Sequence, residues 1–146
     1  MSARILHVED NTDDVLLVGM AFRRSGISVP IDVATDGEEA IAMLEASLKT
    51  VVPKCVLLDI KLPGKSGLEV LDWIRSHPQL STLPVIMFTS SLLMEDVNQA
   101  YALGANSYLQ KPADLDSLCG LSKVIYEYWV QANTPPSLSP VCSAPS

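Results

Sequence analysis

Positive charge, cysteine and long apolar runs are all scarce in this chain of 146 residues, and each shortage excludes a class of function. Ten Lys and Arg stand against 17 Asp and Glu, which gives a net charge of −7. This balance argues against nucleic acid and anionic membranes as partners, because both are bound through clustered Lys and Arg. The three cysteines have neither C-x-x-C nor metal-ligand spacing, so we expect reduced thiols.

No apolar stretch reaches the roughly 18–20 residues that are needed to span a bilayer. The first ten residues, MSARILHVED, contain no apolar secretory segment, and we therefore expect a cytoplasmic protein. No glycine-rich phosphate loop follows the first apolar run, which disfavours nucleotide or flavin binding. Hydrophobic residues make up 48% and charged residues 18% of the chain, a composition typical of a compact globular domain.

Short β-like runs alternate with helix-like segments over most of the chain. Their pattern predicts strands at 4–8, 29–35, 54–60, 83–90 and 106–110, and helices at 12–26, 37–48, 66–77, 94–105 and 114–130. Such alternation with short connections predicts a parallel sheet that is covered by helices on both faces. Pro and Ser are abundant near the C-terminus, so we expect one folded domain over 1–131 and a flexible tail over 132–146.

Polar residues stand where the predicted strands end. Glu9 and Asp10 follow the first strand, Asp59 the third, Thr89 the fourth and Lys111 the fifth. The carboxyl ends of parallel strands lie at the same edge of a sheet, and ligands bind there in doubly wound folds. We therefore expect these five side chains to meet in one cleft.

Three neighbouring carboxylates repel each other unless a cation lies among them. Oxygen ligands in an exposed cleft favour a partly hydrated Mg²⁺ over a closed Ca²⁺ cage. Asp59 ends the most apolar strand and is the best candidate for a nucleophile that accepts a phosphoryl group. The nearby Asp13 and Asp14 have a simpler interpretation, as acids in the first turn of a helix whose dipole favours negative charge.

Four stretches of the sequence resemble the receiver domain of two-component response regulators: VED at 8–10, LLDIKLPGKSGLEVL at 57–71, PVIMFTSS at 84–91 and GANSYLQKPAD at 104–114. The resemblance implies an α/β, flavodoxin-like fold, with a doubly wound five-stranded parallel sheet in the order 2-1-3-4-5 and five helices. It also implies that a histidine kinase donates a phosphoryl group to this chain in a Mg²⁺-dependent reaction. The protein would then be a switch and not an enzyme, limited to self-phosphorylation and slow self-dephosphorylation.

The resemblance also assigns a role to each site residue. It implies that Asp59 is the phosphoacceptor and that Lys111 binds the phosphate. For the metal, it implies Asp10 as a direct Mg²⁺ ligand, Glu9 as a ligand through water and the backbone carbonyl of Lys61 as a further ligand. For the switch, it implies that Thr89 supplies the hydroxyl and that Tyr108 is the aromatic residue that changes rotamer. A cis peptide bond between Lys111 and Pro112 is implied as well, which would aim the lysine into the cleft.

The expected partners follow from the same resemblance. The ending VIYEYWV, with SLLMED and GANSYLQKPADLD, is similar to stand-alone regulators of bacterial phytochrome kinases. Chemotaxis-like and phosphorelay receivers are the alternatives within the family, and a degenerate receiver that only binds partners is disfavoured by the complete residue set. No output domain is predicted after residue 131, so we expect the signal to pass by protein contact.

A Mg²⁺-dependent aspartyl-phosphate phosphatase is the alternative from another class of protein. Such an enzyme would use the same nucleophile and the same metal. It usually carries a second acid two positions after the nucleophile, where this chain has Lys61.

The last predicted helix has an apolar stripe that is wider than a single sheet face requires. Leu115, Val124, Tyr128 and Trp129 belong to this stripe. We therefore expect a homodimer through strand five and helix five, with a helix covered by the chain's own tail as the alternative.

Overall fold

The computed structural model describes residues 3–137. Five parallel strands form one sheet in the order β2-β1-β3-β4-β5, which confirms the predicted topology. The strands are β1 (Ile5–Val8), β2 (Ile31–Ala34), β3 (Cys55–Leu58), β4 (Val85–Thr89) and β5 (Ser107–Gln110). The helices are α1 (Thr12–Arg24), α2 (Gly37–Ser47), α3 (Gly67–Ser76), α4 (Met94–Ala102) and α5 (Leu115–Ile125).

The burial of each strand follows from its place in the sheet. The continuous apolar runs of β3 and β4 are fully buried, whereas β2 lies at an edge and is mostly half-buried. Side chains of β1 alternate between two apolar layers. Leu6 and Val8 pack in the layer that includes α2, α3 and α4, while Ile5 packs in the layer that includes α1 and α5.

Polar side chains cap the N-termini of four helices close to the carboxyl edge of the sheet, and Asp36 caps α2 by accepting from the Glu39 N–H. The side chains of Asn11, Ser66 and Asp114 accept hydrogen bonds from backbone N–H groups in the first turns of α1, α3 and α5. Each cap satisfies a donor that the helix itself leaves free. These caps agree with the helix starts that the sequence predicted.

The end of the last helix differs from the prediction. The α-helix stops at Ile125 and continues as a π-helix over Tyr126–Ala132, whereas the 3.6-residue pattern predicted a single α-helix to residue 130. Within this segment the rings of Tyr128 and Trp129 pack edge to face with centroids 4.8 Å apart. The π-helix thereby presents two aromatic rings side by side.

Three further expectations from the sequence concern membrane-spanning helices, the state of the cysteines and the C-terminal tail. None of the helices within residues 3–137 is long and apolar enough to cross a bilayer. Cys55 and Cys119 are free thiols, while Cys142 and the rest of 138–146 lie outside the described residues.

Gly67 brings the start of α3 against the end of β3. The Gly67 N–H donates to the carbonyl of Ile60 at 2.8 Å. A Cβ atom at this position would lie 1.8 Å from the backbone carbonyl oxygen of Asp59. Because the obstacle is backbone, it cannot move without displacing Asp59, so only a residue without a side chain fits at position 67.

We expect the substitution Gly67→Ala to lower the free energy of unfolding by about 2–3 kcal/mol, since the added methyl overpacks a rigid contact. Gly120→Ala is the matched control, because a Cβ atom there meets nothing within 4 Å. In a helix interior this control change should instead stabilise by roughly 0.5–1 kcal/mol. Urea unfolding followed by circular dichroism measures both, and equal effects would contradict the packing argument.

Candidate functional site

One cleft gathers the ends of β1, β3 and β5. Glu9 and Asp59 are buried at its floor, Asp10 is exposed at its rim, and Lys111 reaches in from the end of β5. The structure thus brings together the three acids and the lysine that the sequence singled out. The cleft is lined by Glu9, Asp10, Asn11, Thr12, Asp13, Asp14, Asp59, Lys61, Ser90 and Lys111.

Backbone hydrogen bonds between neighbouring strands fix the positions of these residues. The Asp59 N–H donates to the Val8 carbonyl at 3.2 Å, and the Lys111 N–H donates to the Thr89 carbonyl at 2.8 Å. The sheet ladder therefore continues one residue beyond the strands, into the site itself. The backbone that carries Asp59 and Lys111 is therefore hydrogen-bonded to a neighbouring strand, which keeps both side chains in register with the sheet.

Lys111 carries the positive charge that faces these acids. Its Nζ lies 2.5 Å from Glu9 Oε1, 2.8 Å from Asp59 Oδ2 and 2.9 Å from Asp14 Oδ2. Burial pushes the pKa of Lys111 down, but the close contacts with the carboxylates of Asp59, Glu9 and Asp14 outweigh burial and hold the pKa above its ordinary value. The lysine is therefore charged at any physiological pH.

Glu9 is the most buried acid of the cleft, with 1% of its surface exposed. Its Oε2 accepts a hydrogen bond from the Asn11 N–H at 3.1 Å. Its Oε1 touches Lys111 Nζ, although the angle at this short contact falls outside that of a hydrogen bond. Burial raises the pKa of Glu9, and the contacts with Lys111 and Asn11 oppose that rise only in part.

The acids fit a divalent metal. Glu9, Asp10 and Asp59 each offer a carboxylate oxygen, and these atoms lie within 4.8 Å of one another. An all-oxygen donor set, open to water on the side of Asp10, suits a hard and partly hydrated cation. Lys61 borders the same cleft, and its N–H donates to Asp59 Oδ1 at 3.4 Å; metal ligation by its carbonyl stays a prediction.

The two predicted switch residues lie to one side of the acids. Thr89 is buried and shares a recess with Asp59 and the loop 90–93. Tyr108 is half-buried, and its hydroxyl donates to the Ser91 carbonyl at 2.9 Å. The Ser91 hydroxyl in turn donates to Asp96 Oδ2 at 2.7 Å, so Tyr108 is linked to the loop that starts α4. The roles of both residues in switching stay predictions.

The peptide bond between Lys111 and Pro112 is trans, as are all peptide bonds among the described residues. The predicted cis bond is therefore wrong for this structure. Prolyl bonds favour trans by about 0.5–1 kcal/mol, and Lys111 reaches all three of its carboxylates with the trans bond in place.

Asp14 is a member of the site that the sequence interpretation missed. It was assigned to the helix start together with Asp13, yet its carboxylate bonds Lys111 while Asp13 is exposed. Helical spacing contained the signal: with Asn11 as N-cap, residue 14 lies in the first turn of α1, directly above the cleft. Nothing in the sequence alone indicated that Lys111 would reach that turn.

His7 lies in β1 close to the site but adds no charge to it. It is buried, and neither ring nitrogen has a hydrogen-bond partner within residues 3–137. Burial, together with the positive charge of Lys111, lowers the pKa of His7 to about 4. A neutral ring that packs against Phe88, with centroids 6.1 Å apart, indicates a structural role for His7.

Residues 5–122 match the family model of the response regulator receiver domain. The chain belongs to this receiver family. Members of the family act as phosphoacceptor switches and bind a divalent metal, which agrees with the acid cluster of Glu9, Asp10 and Asp59.

Three relatives are similar over nearly their whole length. FilR2 of Methanothrix harundinacea, named as a probable methanogenesis regulatory protein, is 37% identical over 90% of this chain and 86% of its own. The response regulator Rcp1 of Synechocystis is 35% identical over 91% of this chain and 92% of its own. The Mn²⁺-bound crystal structure of Rcp1 has a TM-score of 0.81 at 34% identity and covers 92% of this chain and 99% of that one.

The third relative is the cyanobacterial phytochrome response regulator RcpA, whose phosphorylated form has been crystallised. It has a TM-score of 0.85 and 35% identity, and covers 94% of this chain and 100% of that one. This receiver domain is thus homologous to phytochrome response regulators.

Proposed function

We propose that Asp59 accepts a phosphoryl group from the phosphohistidine of a sensor histidine kinase. The placement of Asp59 carries this proposal: its carboxylate is buried at the centre of the cleft, 2.8 Å from Lys111 Nζ and beside the oxygens of Glu9 and Asp10. In the transfer, the phosphorus–nitrogen bond of the phosphohistidine breaks while a phosphorus–oxygen bond to Asp59 forms. The product is an aspartyl phosphate that turns over slowly, so the protein is a switch.

Magnesium is the metal that we assign to the acid cluster. Glu9, Asp10, Asp59 and the carbonyl of Lys61 would hold it. When bound, Mg²⁺ would neutralise the negative charge on the phosphoryl oxygens. Asp10 is exposed and free for direct ligation, whereas Glu9 is already engaged by Lys111 and Asn11, so ligation through water suits it better.

Lys111 and Thr89 stabilise the phosphoryl group from the protein side. The Lys111 ammonium already contacts the acceptor carboxylate and can donate to a phosphoryl oxygen after transfer. The Thr89 side chain lies at the end of β4 in the recess beside Asp59, where its hydroxyl can donate to a second oxygen. The backbone hydrogen bond from the Lys111 N–H to the Thr89 carbonyl holds the two residues side by side at this edge of the sheet.

The signal leaves the site through Thr89 and Tyr108. A phosphoryl group adds about −1.5 to −2 charge and would draw the Thr89 hydroxyl towards Asp59. That movement vacates space into which the Tyr108 ring can turn, with a change in the hydrogen bond to Ser91 that now ties it to the loop before α4. The two arrangements of this loop and ring are the two states that a partner reads.

A phytochrome-type histidine kinase is the partner that we propose. RcpA is a phytochrome response regulator, and its match covers 94% of this chain at 35% identity. FilR2, with 37% identity, has a name that points to a different signal. The kinase class therefore follows from the receiver site itself, while the phytochrome assignment follows from similarity to RcpA.

Phosphorylation of the wild-type protein by acetyl phosphate with Mg²⁺ tests the acceptor directly. We expect one phosphate adduct by intact-mass analysis, abolished by Asp59→Asn and retained by Asp13→Asn, which removes the same charge from the rim of the cleft. An adduct that survives in Asp59→Asn would contradict the assignment. Steady hydrolysis of phosphomonoesters by the wild type would favour the phosphatase instead.

We also propose that the chain forms a homodimer through β5 and α5. Val124 and Tyr128 are 59% and 52% exposed, and the half-buried Leu115 and Trp129 lie on the same helix and its π-helical continuation. Exposed apolar side chains on one element mark an association surface. The T-shaped contact of Tyr128 with Trp129 presents a rigid aromatic pair at that surface.

Sedimentation at tens of micromolar protein tests the dimer. We expect the wild type to sediment as a dimer and Tyr128→Glu as a monomer, because a charge at the centre of an apolar interface is left desolvated. Leu92→Glu is the matched control, since Leu92 is 59% exposed on the loop before α4; it should stay dimeric. A wild-type monomer, with and without phosphorylation, would end the proposal.

The domain limits and the location remain proposals as well. We assign 1–131 to the receiver domain and 132–146 to a tail, since 133–137 contain neither helix nor strand. A cytoplasmic location agrees with the free thiols of Cys55 and Cys119.

A further inference from the structure

Asp14 bonds the lysine of the site but does not belong to its metal cluster. Its Oδ2 accepts a hydrogen bond from Lys111 Nζ at 2.9 Å. The three acids whose oxygens converge within 4.8 Å are Glu9, Asp10 and Asp59, and Asp14 is not among them. The side chain of Lys111 is 12% exposed and that of Asp14 is 33% exposed. Water therefore screens this contact less than it screens a fully exposed ion pair.

Lys111 donates hydrogen bonds to Asp59 and Asp14 and forms an ion pair with Glu9. An ammonium has three N–H donors and no acceptor, and Nζ faces three carboxylates at 2.5, 2.8 and 2.9 Å. Glu9 and Asp59, two of these partners, are also ligands of the proposed metal site. Metal binding and the lysine therefore compete for the same two carboxylates.

Asp14 is the partner that this competition leaves untouched. A cation that engages Glu9 and Asp59, directly or through water, weakens the attraction of both carboxylates for Lys111, and Asp14 is then the partner of the ammonium that does not also face the metal. Without it, the ammonium either stays with Glu9 and Asp59, which opposes metal binding, or turns away from the cleft, which removes it from the acceptor.

We propose that Asp14 is a positioning residue, which holds the Lys111 ammonium beside Asp59 while Glu9 and Asp59 engage Mg²⁺. This inference rests on the proposed function of the same site. Its consequence is that Asp14 makes Mg²⁺ binding easier in the unphosphorylated protein. It acts through the lysine, and not as a ligand.

Asp13 provides a matched control for the charge of Asp14. Both acids lie in the first turn of α1, and removal of either one takes a single negative charge from the rim of the cleft. Asp13 is exposed, and its side chain makes no hydrogen bond or ion pair within residues 3–137. The difference between variants at the two positions therefore isolates the contact with Lys111.

The experiment is calorimetric titration of the full chain with Mg²⁺, in the wild type, Asp14→Ala and Asp13→Ala. Loss of one charge-assisted hydrogen bond to a partly buried lysine should raise the dissociation constant about tenfold in Asp14→Ala, against about twofold in Asp13→Ala for the change in charge alone. A spectroscopic readout accompanies it on lysine-¹⁵N-labelled protein. At saturating Mg²⁺ the Lys111 ammonium should remain protected from exchange in the wild type and in Asp13→Ala, and lose that protection in Asp14→Ala.

The outcomes separate this inference from the proposed function. Equal dissociation constants for the two variants, or an equally protected ammonium, would overturn the role of Asp14 even where the wild type forms its phosphate adduct. A wild type that forms no adduct with acetyl phosphate overturns the proposed function. A wild type that binds no Mg²⁺ overturns this inference together with the metal assignment.

Discussion

A single ammonium, that of Lys111, faces three carboxylates at the carboxyl edge of the sheet, and the site depends on this contact. Glu9 and Asp59 are almost completely buried, and burial of carboxylates without a cation is strongly unfavourable. Lys111 compensates them when no metal is bound. It does so without blocking Asp10, which stays exposed at the rim and leaves the cluster open to a cation.

The sheet supplies the precision that this contact requires. Glu9 and Asp59 follow the neighbouring strands β1 and β3. The Glu9 N–H donates to the Ala34 carbonyl and the Asp59 N–H donates to the Val8 carbonyl, so the strand register determines where the two carboxylates lie. Gly67 then presses the start of α3 against the Asp59 carbonyl. The backbone of Asp59 is thus held by β1 through its N–H and lies against the start of α3 at its carbonyl, while its side chain faces the cleft.

The sequence predicted the fold and most of the site because those features depend on local pattern. Asp59 and Lys111 directly follow strands β3 and β5, Asp10 lies two residues after the end of β1, and parallel topology alone brings strand ends together. The features that it missed depend on side-chain reach. In sequence, Asp14 resembles any acid at a helix start, and only the structure shows its contact with Lys111. The π-helix at Tyr126–Ala132 departs from the 3.6-residue period on which the helix prediction was based. The cis bond before Pro112 came from family resemblance, and no feature of the sequence itself decides between the two isomers.

The free energy of unfolding of Lys111→Met, measured with and without Mg²⁺, tests the central contact most directly. Without metal the variant should be less stable than the wild type by about 3 kcal/mol, because the buried acids lose their cation. Saturating Mg²⁺ should recover most of that loss, since it replaces the missing charge and no longer competes with the lysine. Lys61→Met, which removes an exposed lysine from the same cleft, should change little under either condition. A Lys111→Met protein as stable as the wild type without metal, or stabilised by Mg²⁺ no more than the wild type is, would contradict the account.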